Sequence, residues 1–150
     1  RFLHLGRIQD VLVDHLHACV RTDSGGAGRT RGGLGYTRCY EILKPGSTLT
    51  MYADRFRLAP QGLFGGHPGE CARCTIKRNG EIIEVPPKGI LPLEVGDIIT
   101  IMTGGGAGYG DPGERDPELI GEDVADGLVT PNAARHDYGW RAALDHRETT

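Results

Sequence analysis

Glycine is concentrated in three segments of this 150-residue chain, which contains 24 glycines in all. The segments are residues 23–35, 62–69 and 104–112, and sequence with β-strand character separates them. Ordering a glycine is entropically unfavourable, so folded proteins keep glycine where φ is positive or where two backbones approach closely. The three segments therefore predict irregular, tightly packed loops in a β architecture, and they argue against a flexible linker.

Alternation of apolar and polar residues predicts several strands between these loops. Residues 10–21 alternate, although a helix over residues 2–20 is the alternative because some of the same apolar residues also fit a helical stripe. Further strands are expected at residues 36–43, 48–52, 74–77, 82–85, 91–93 and 98–102.

Turn signals suggest how these strands are connected. Asn79-Gly80 predicts a tight hairpin between the strands on either side, because both residues accept positive φ. Pro45-Gly46 predicts a turn that returns residues 48–52 beside residues 36–43. A turn at residues 94–97 completes a second hairpin-like unit with residues 98–102.

The C-terminal tail has a different pattern, which is typical of two short helices. Asp116-Pro117 and Thr130-Pro131 each place a capping side chain before a proline, and glycines follow at Gly127 and Gly139. The predicted fold class is mainly β, with irregular glycine-rich antiparallel strands and hairpins and a short C-terminal helical hairpin. We expect a β body over residues 1–113 and a helical segment over residues 114–150, folded as one unit.

Net charge, hydropathy and cysteine spacing indicate which partners and which cellular location to expect. The formal net charge is −3, so a nucleic-acid partner is not expected. No apolar run approaches the ~18 residues of a membrane span, so no membrane partner is expected either. The four cysteines are irregularly spaced, unlike a secreted disulfide framework, and this spacing predicts a cytoplasmic location.

A structural zinc ion is one hypothesis for the cysteines and histidines. Cys71 and Cys74 form a C-x-x-C pair, and His15 and His17 lie two residues apart on a predicted strand. A reliable zinc signature needs a second pair of ligands at suitable spacing. The alternative interpretation is that the cysteines are small strand residues and the histidines face solvent.

The glycine segments and the tail resemble one known family. The similarity lies in Asp23-Ser24-Gly25-Gly26-Ala27-Gly28 with Arg31-Gly32-Gly33-Leu34-Gly35, in residues 62–69 and 104–112, and in Glu114-Arg115-Asp116-Pro117, residues 124–127, Ala133-Ala134-Arg135 and Tyr138-Gly139. These motifs, in this order, resemble the C-terminal part of the hydantoinase B/5-oxoprolinase family. The resemblance runs from about residue 10 to residue 139.

The resemblance implies a multisubunit context. Members work with an ATP-binding subunit of the actin-like kinase fold, where ATP and Mg²⁺ are bound, and they open cyclic amides or carboxylate ketones. The chain resembles only the C-terminal part, so the family's catalytic residues lie outside it. We therefore expect a hetero-oligomer in which this chain is a small structural subunit that completes a larger hydantoinase-B-like subunit, as in an acetophenone carboxylase-type complex. The alternative is a fragment of a longer enzyme.

An alternative role brings the glycine loops into an active site. In an amidohydrolase of the hydantoinase or 5-oxoprolinase type, bare backbone amides could hold a developing oxyanion. The residues expected to line the substrate are Gly65, Gly66, His67, Gly104, Gly105 and Gly106. A phosphate-binding P-loop is disfavoured, because the third segment lacks the Lys-Ser/Thr ending of that motif.

Overall fold

The computed structural model describes residues 13–141. Its elements are β1 (Val13–Val20), β2 (Tyr36–Ile42), β3 (Thr48–Tyr52), β4 (Arg73–Arg78), β5 (Glu81–Glu84), β6 (Lys88–Pro92), β7 (Ile98–Met102), α1 (Pro117–Ala125) and α2 (Pro131–Tyr138). The predicted fold class, mainly β with two C-terminal helices, is confirmed. The helix considered for residues 2–20 lies partly outside the described residues, and within them Val13–Val20 is a strand.

The described chain forms two compact units. The sheet unit comprises residues 13–19, 36–57 and 72–103. The glycine unit comprises residues 20–35, 58–71 and 104–141, and therefore contains all three glycine loops and both helices.

Most strands of the sheet unit form one sheet with the order β1-β2-β7-β4-β5. β7 lies at its centre and pairs antiparallel with β2 on one side and β4 on the other. β4 and β5 form the hairpin predicted from Asn79-Gly80, where φ is +49° and +86°. The sequence identified this hairpin because its turn residues tolerate the left-handed backbone.

Two of the predicted strand pairings are wrong. Among the described strands, β3 pairs with β6 in a separate two-stranded sheet, rather than with β2. β7 pairs with β2 and β4, rather than with β6 across the turn at residues 94–97. The reason is burial: Leu49, Met51 and Leu91 of the small sheet pack against the buried core. Forming a separate sheet lets β3 and β6 cover apolar surface, which outweighs pairing with the nearest strand in sequence.

The core of the sheet unit lies on one face of the five-stranded sheet. Ile76 faces Ile99 on one neighbouring strand and Ile83 on the other, and Cys74 faces Ile101. The buried members of this core are Ile42, Cys74, Ile76, Val85, Leu93 and Ile99. Antiparallel strands place alternate side chains on one face, which is why the apolar alternation identified these strands correctly.

An ion pair with a buried carboxylate joins β4 to the turn before β7. The Arg78 guanidinium donates to both carboxylate oxygens of Asp97 at 2.8 and 2.6 Å, and the Glu94 amide donates to the same carboxylate at 2.8 Å. Asp97 is only 1% exposed. The hydrogen bond from Arg78, helped by the Glu94 amide, outweighs desolvation and holds the pKa of Asp97 below its ordinary value.

Acid should therefore weaken the sheet unit through Asp97. A folded-state pKa below the unfolded value of about 3.9 means that the stabilisation is complete above that value and is lost as pH falls through the folded pKa. We expect a lower free energy of unfolding at pH 3 than at pH 7 in urea titrations. Asp97→Asn should reduce the acid-induced loss, and an unchanged loss in this variant would contradict the assignment to Asp97.

The helical tail follows its capping signals. The Asp116 carboxylate accepts a hydrogen bond from the Glu118 amide at 2.9 Å, and the Thr130 hydroxyl accepts one from the Ala133 amide at 3.1 Å. Gly139 ends α2 with φ +65°, the left-handed conformation for which glycine is suited. The two helices bury a small core of their own, Ile120, Val129 and Ala134, against which Trp140 packs. Both predicted helices are confirmed.

Candidate functional site

The three glycine loops, residues 23–35, 62–69 and 104–112, are bound to one another through backbone hydrogen bonds in the glycine unit. The Gly26 amide donates to the Gly106 carbonyl at 2.8 Å, and the His67 amide donates to the Ala27 carbonyl at 2.7 Å. The Gly108 amide donates a hydrogen bond to the His67 carbonyl at 2.9 Å. Each loop is therefore bonded to the other two without forming a regular sheet.

Glycine is required because the loops pack backbone against backbone. A Cβ atom on Gly105 would lie 1.7 Å from the Ser24 carbonyl oxygen, and one on Gly108 would lie 1.9 Å from that of Ala27. Comparable clashes arise at Gly25, Gly26, Gly28, Gly32, Gly62, Gly66 and Gly69. The spacing of Gly25 and Gly28, Gly66 and Gly69, and Gly105 and Gly108 matches the three residues per turn of polyproline II.

Five of the six residues predicted to line a substrate have backbone roles in these loops. The amides of Gly66, Gly105 and Gly106 donate to the carbonyls of Leu63, Glu70 and Gly33, respectively. Gly65 occupies a turn with φ +91°. The backbone of His67 forms hydrogen bonds to the first and third loops, although His67 as a whole is exposed. Gly104 is half-buried at the start of the third loop. A substrate-lining role for the six residues stays a prediction.

The residues predicted to bind metal lie in different surroundings. His17 places its Nε2 atom 3.6 Å from the Sγ atom of Cys39, and the His15 ring packs edge-on against Tyr40 with centroids 5.2 Å apart. Cys74 is in the core of the sheet unit, whereas Cys71 belongs to the glycine unit. Within residues 13–141 no three His, Cys, Asp or Glu side chains form a group that could hold a metal ion. Metal binding at Cys71, Cys74, His15 and His17 stays a prediction.

Burial makes Cys74 a poor nucleophile. Desolvation, followed by the negative charge of Glu84, raises the pKa of the Cys74 thiol to about 11. Roughly one thiol in a thousand would be ionised at pH 8, and the thiolate is the reactive form.

Alkylation of the folded chain with iodoacetamide should therefore modify the exposed Cys19 and spare Cys74. Mass spectrometry of the resulting peptides, with a urea-unfolded sample as the control, measures this difference. Equal labelling of the two cysteines in the folded chain would contradict the burial of Cys74.

A charged cluster connects the first glycine loop to the helical tail. Arg31 donates two hydrogen bonds of 2.9 Å to the carboxylate of Asp123 on α1, and Arg115 donates a third at 2.8 Å. The three side chains are only 10–16% exposed. Desolvation would raise the pKa of Asp123, but the hydrogen bonds and charges of Arg31 and Arg115 outweigh it and lower the pKa. Asp123 therefore stays ionised and holds both cations.

A second connection runs from the start of the first loop. The Asp23 carboxylate accepts a hydrogen bond from the Thr130 amide at 2.7 Å, and the Asp23 amide donates to the Leu128 carbonyl at 3.1 Å. The Thr22 hydroxyl donates to the Gly127 carbonyl at 2.7 Å. Sequence reasoning missed both connections, because residues about a hundred positions apart carry no local signal of their contact.

The sheet unit contains an apolar cleft of about 480 Å³. Its lining includes Val13, Tyr40, Ile42, Leu49, Leu93, Ile99 and Ile101. Among the described residues that line it, none is Asp, Glu, Lys or Arg, and its polar side chains are the hydroxyl-bearing Tyr40, Ser47 and Thr48, so the cleft offers mainly apolar contact.

The family model for hydantoinase B/oxoprolinase matches residues 11–112, about two thirds of the chain. The chain belongs to the hydantoinase B/oxoprolinase family. An uncharacterized protein of Methanocaldococcus jannaschii is 43% identical over 82% of this chain and 22% of its own length. The acetophenone carboxylase delta subunit of Aromatoleum aromaticum is 29% identical over 81% of this chain and 23% of its own length.

A solved structure has a fold similar to that of this chain. The crystal structure of ATP-dependent caprolactamase from Pseudomonas jessenii matches with a TM-score of 0.75 and 27% identity, over 92% of this chain and 24% of that chain. The chain spans between 7% and 23% of the length of the curated relatives it matches. All three glycine loops fall within the matched residues, so the family resemblance drawn from their motifs is confirmed.

Within residues 13–141, no helix has the length and apolar composition needed to cross a bilayer.

Proposed function

We propose that this chain is a structural component of an ATP-dependent carboxylase of the acetone or acetophenone type, in which it completes a larger hydantoinase-B-like subunit. ATP and Mg²⁺ would be bound by a separate subunit of the actin-like kinase fold. The assembly would then be a hetero-oligomer whose chemistry is performed by residues outside this chain.

The observation that carries this proposal is the internal use of the glycine loops. The loop amides and carbonyls bond to one another, as those of Gly26, His67, Gly106 and Gly108 illustrate. Arg31 of the first loop, a largely buried cation, pairs with Asp123 inside the same unit. A segment whose polar groups serve its own packing is suited to a supporting role. Similarity to a carboxylase subunit, over a fifth of that subunit's length, favours this context.

A second candidate is a component of an ATP-dependent amidohydrolase acting on a hydantoin, 5-oxoproline or another lactam. Here Gly65, Gly66, His67 and residues 104–106 would contribute to the substrate pocket. The exposed His67 beside the half-buried Gly66 favours this interpretation, and so does similarity to a caprolactamase over nearly the whole chain.

The proposal is tested by isolating the complex through a tag on this chain in its own source. Native mass spectrometry should recover an actin-like ATPase and a larger hydantoinase-B-like part, and metal analysis of the same sample measures any zinc. Recovery of this chain alone, as a stable and active monomer, would contradict the structural role.

Activity measurements separate the two candidates. The recovered complex is assayed for ATP-dependent carboxylation of ketones and for ATP-dependent ring opening of cyclic amides. Turnover that survives His67→Ala in the assembled complex would remove the main support for an active-site role of the loops.

A further inference from the structure

The turn at the tip of the second glycine loop has a left-handed backbone at two successive residues. Phe64 has φ +52° and Gly65 has φ +91°, and the Gly66 amide donates to the Leu63 carbonyl at 3.0 Å to close the turn. The β4–β5 hairpin has the same conformation, with φ +49° at Asn79 and +86° at Gly80. Asparagine is suited to this position, whereas a bulky side chain such as phenylalanine is strained there.

Contacts within the described chain compensate little of this strain. The Phe64 ring packs edge-on against the Tyr109 ring, with centroids 5.2 Å apart, yet Phe64 remains 78% exposed. Leu63 is 61% exposed and Tyr109 is 43% exposed. These three residues form an apolar tip, and we call it the Phe64 tip. A strained residue with a largely solvated ring indicates that its favourable contacts lie outside the chain.

The Phe64 tip is held in place by the third glycine loop. The Leu63 amide donates to the Gly108 carbonyl at 3.2 Å, and the Gly110 amide donates to the Leu63 carbonyl at 2.9 Å. A projecting aromatic ring on an anchored backbone loses little conformational freedom when it is covered. Such rings are typical anchors of protein interfaces.

We propose that the Phe64 tip docks the glycine unit into an apolar recess on the larger hydantoinase-B-type partner. This inference rests on the proposed function, which supplies that partner. The chain spans less than a quarter of the length of the relatives it matches, so more than three quarters of a relative's length is available to form the recess. A second copy of this chain is a less suitable occupant, because inserting the tip into another copy's cleft is a heterologous contact that builds rings or open filaments.

Photo-crosslinking in the native complex tests the contact directly. The chain carries Phe64→p-benzoylphenylalanine, and the complex is isolated through a tag on this chain and irradiated. We expect a covalent product with the larger hydantoinase-B-type partner. The matched control is Leu119→p-benzoylphenylalanine on α1, at a residue that is also exposed, and it should give no such product.

Three results would overturn the proposal: no adduct from position 64, an adduct with a second copy of this chain, or equal adducts from positions 64 and 119. If no larger partner is isolated with the unsubstituted chain, both the proposed function and this inference are wrong. Recovery of the partner without an adduct at position 64 overturns only this inference.

A substitution separates docking from folding. Phe64→Asn places in the turn the residue that the β4–β5 hairpin uses, so the thermal midpoint of the chain should not fall. Recovery of the larger partner should nevertheless fall at least about tenfold, as expected for loss of a central aromatic anchor. Undiminished recovery would refute the docking role, and a lowered thermal midpoint would indicate that Phe64 serves the fold instead.

Discussion

Replacing Gly105 with alanine is expected to destabilise the glycine unit by at least about 4 kcal/mol, more than the 1–3 kcal/mol typical of overpacking. The added Cβ atom would lie 1.7 Å from the Ser24 carbonyl oxygen and 2.4 Å from its carbonyl carbon. Both are backbone atoms, so no side-chain rotation can relieve the clash. The loops would have to separate and give up the hydrogen bonds between them.

The fluorescence of Trp140, the chain's single tryptophan, measures this effect in a urea titration because its side chain packs against the helical core of the glycine unit. Gly33→Ala is the matched control. Gly33 lies in the first glycine loop, but a Cβ atom added there would meet nothing within 4 Å. We expect this control to change the free energy of unfolding by less than about 1 kcal/mol. Similar urea midpoints for the two variants would refute the backbone-packing explanation.

Replacing Asp123 with asparagine should cost about 3–5 kcal/mol, the range found when one partner of a buried ion pair is removed. The substitution keeps the shape of the side chain but removes the charge that holds Arg31 and Arg115. The two cations would then remain close together in a poorly hydrated site. The first glycine loop and α1 would lose their charged connection.

The control for Asp123→Asn is Glu114→Gln. Glu114 lies 3.9 Å from Arg29, and both side chains are more than half exposed. An exposed pair of this kind contributes little, so the control should stay within about 1 kcal/mol of the parent chain. Equal stability of the two variants in the same urea titration would show that the Asp123 cluster is not the connection described above.

Local signals were sufficient to predict much of the fold. The alternation in β4, the Asn79-Gly80 turn and the caps at Asp116 and Thr130 each act over a few residues. The stability of such local features depends mainly on neighbouring residues along the chain, so the features can be predicted from the sequence. The glycine segments likewise predicted close backbone packing, although the partner of each glycine could not be read from composition.

Long-range choices could not be predicted in the same way. The pairing of β3 with β6 depends on which arrangement buries Leu49 and Leu91 best, and that is a property of the whole sheet unit. The Arg31–Asp123 contact joins residues 92 positions apart. Many acidic residues were available to Arg31, and spacing does not distinguish among them.

The close approach of the three loops also limits what their motifs reveal about the reaction of a protein that is known only from its genome sequence. A glycine whose added Cβ atom would overlap a neighbouring carbonyl is required for the packing of the loops, and that requirement carries no information about a reaction. Searches with these motifs will therefore collect enzymes that share a scaffold while differing in the bond they make or break. Substrate assignments within such collections should be based on side chains outside the glycine loops.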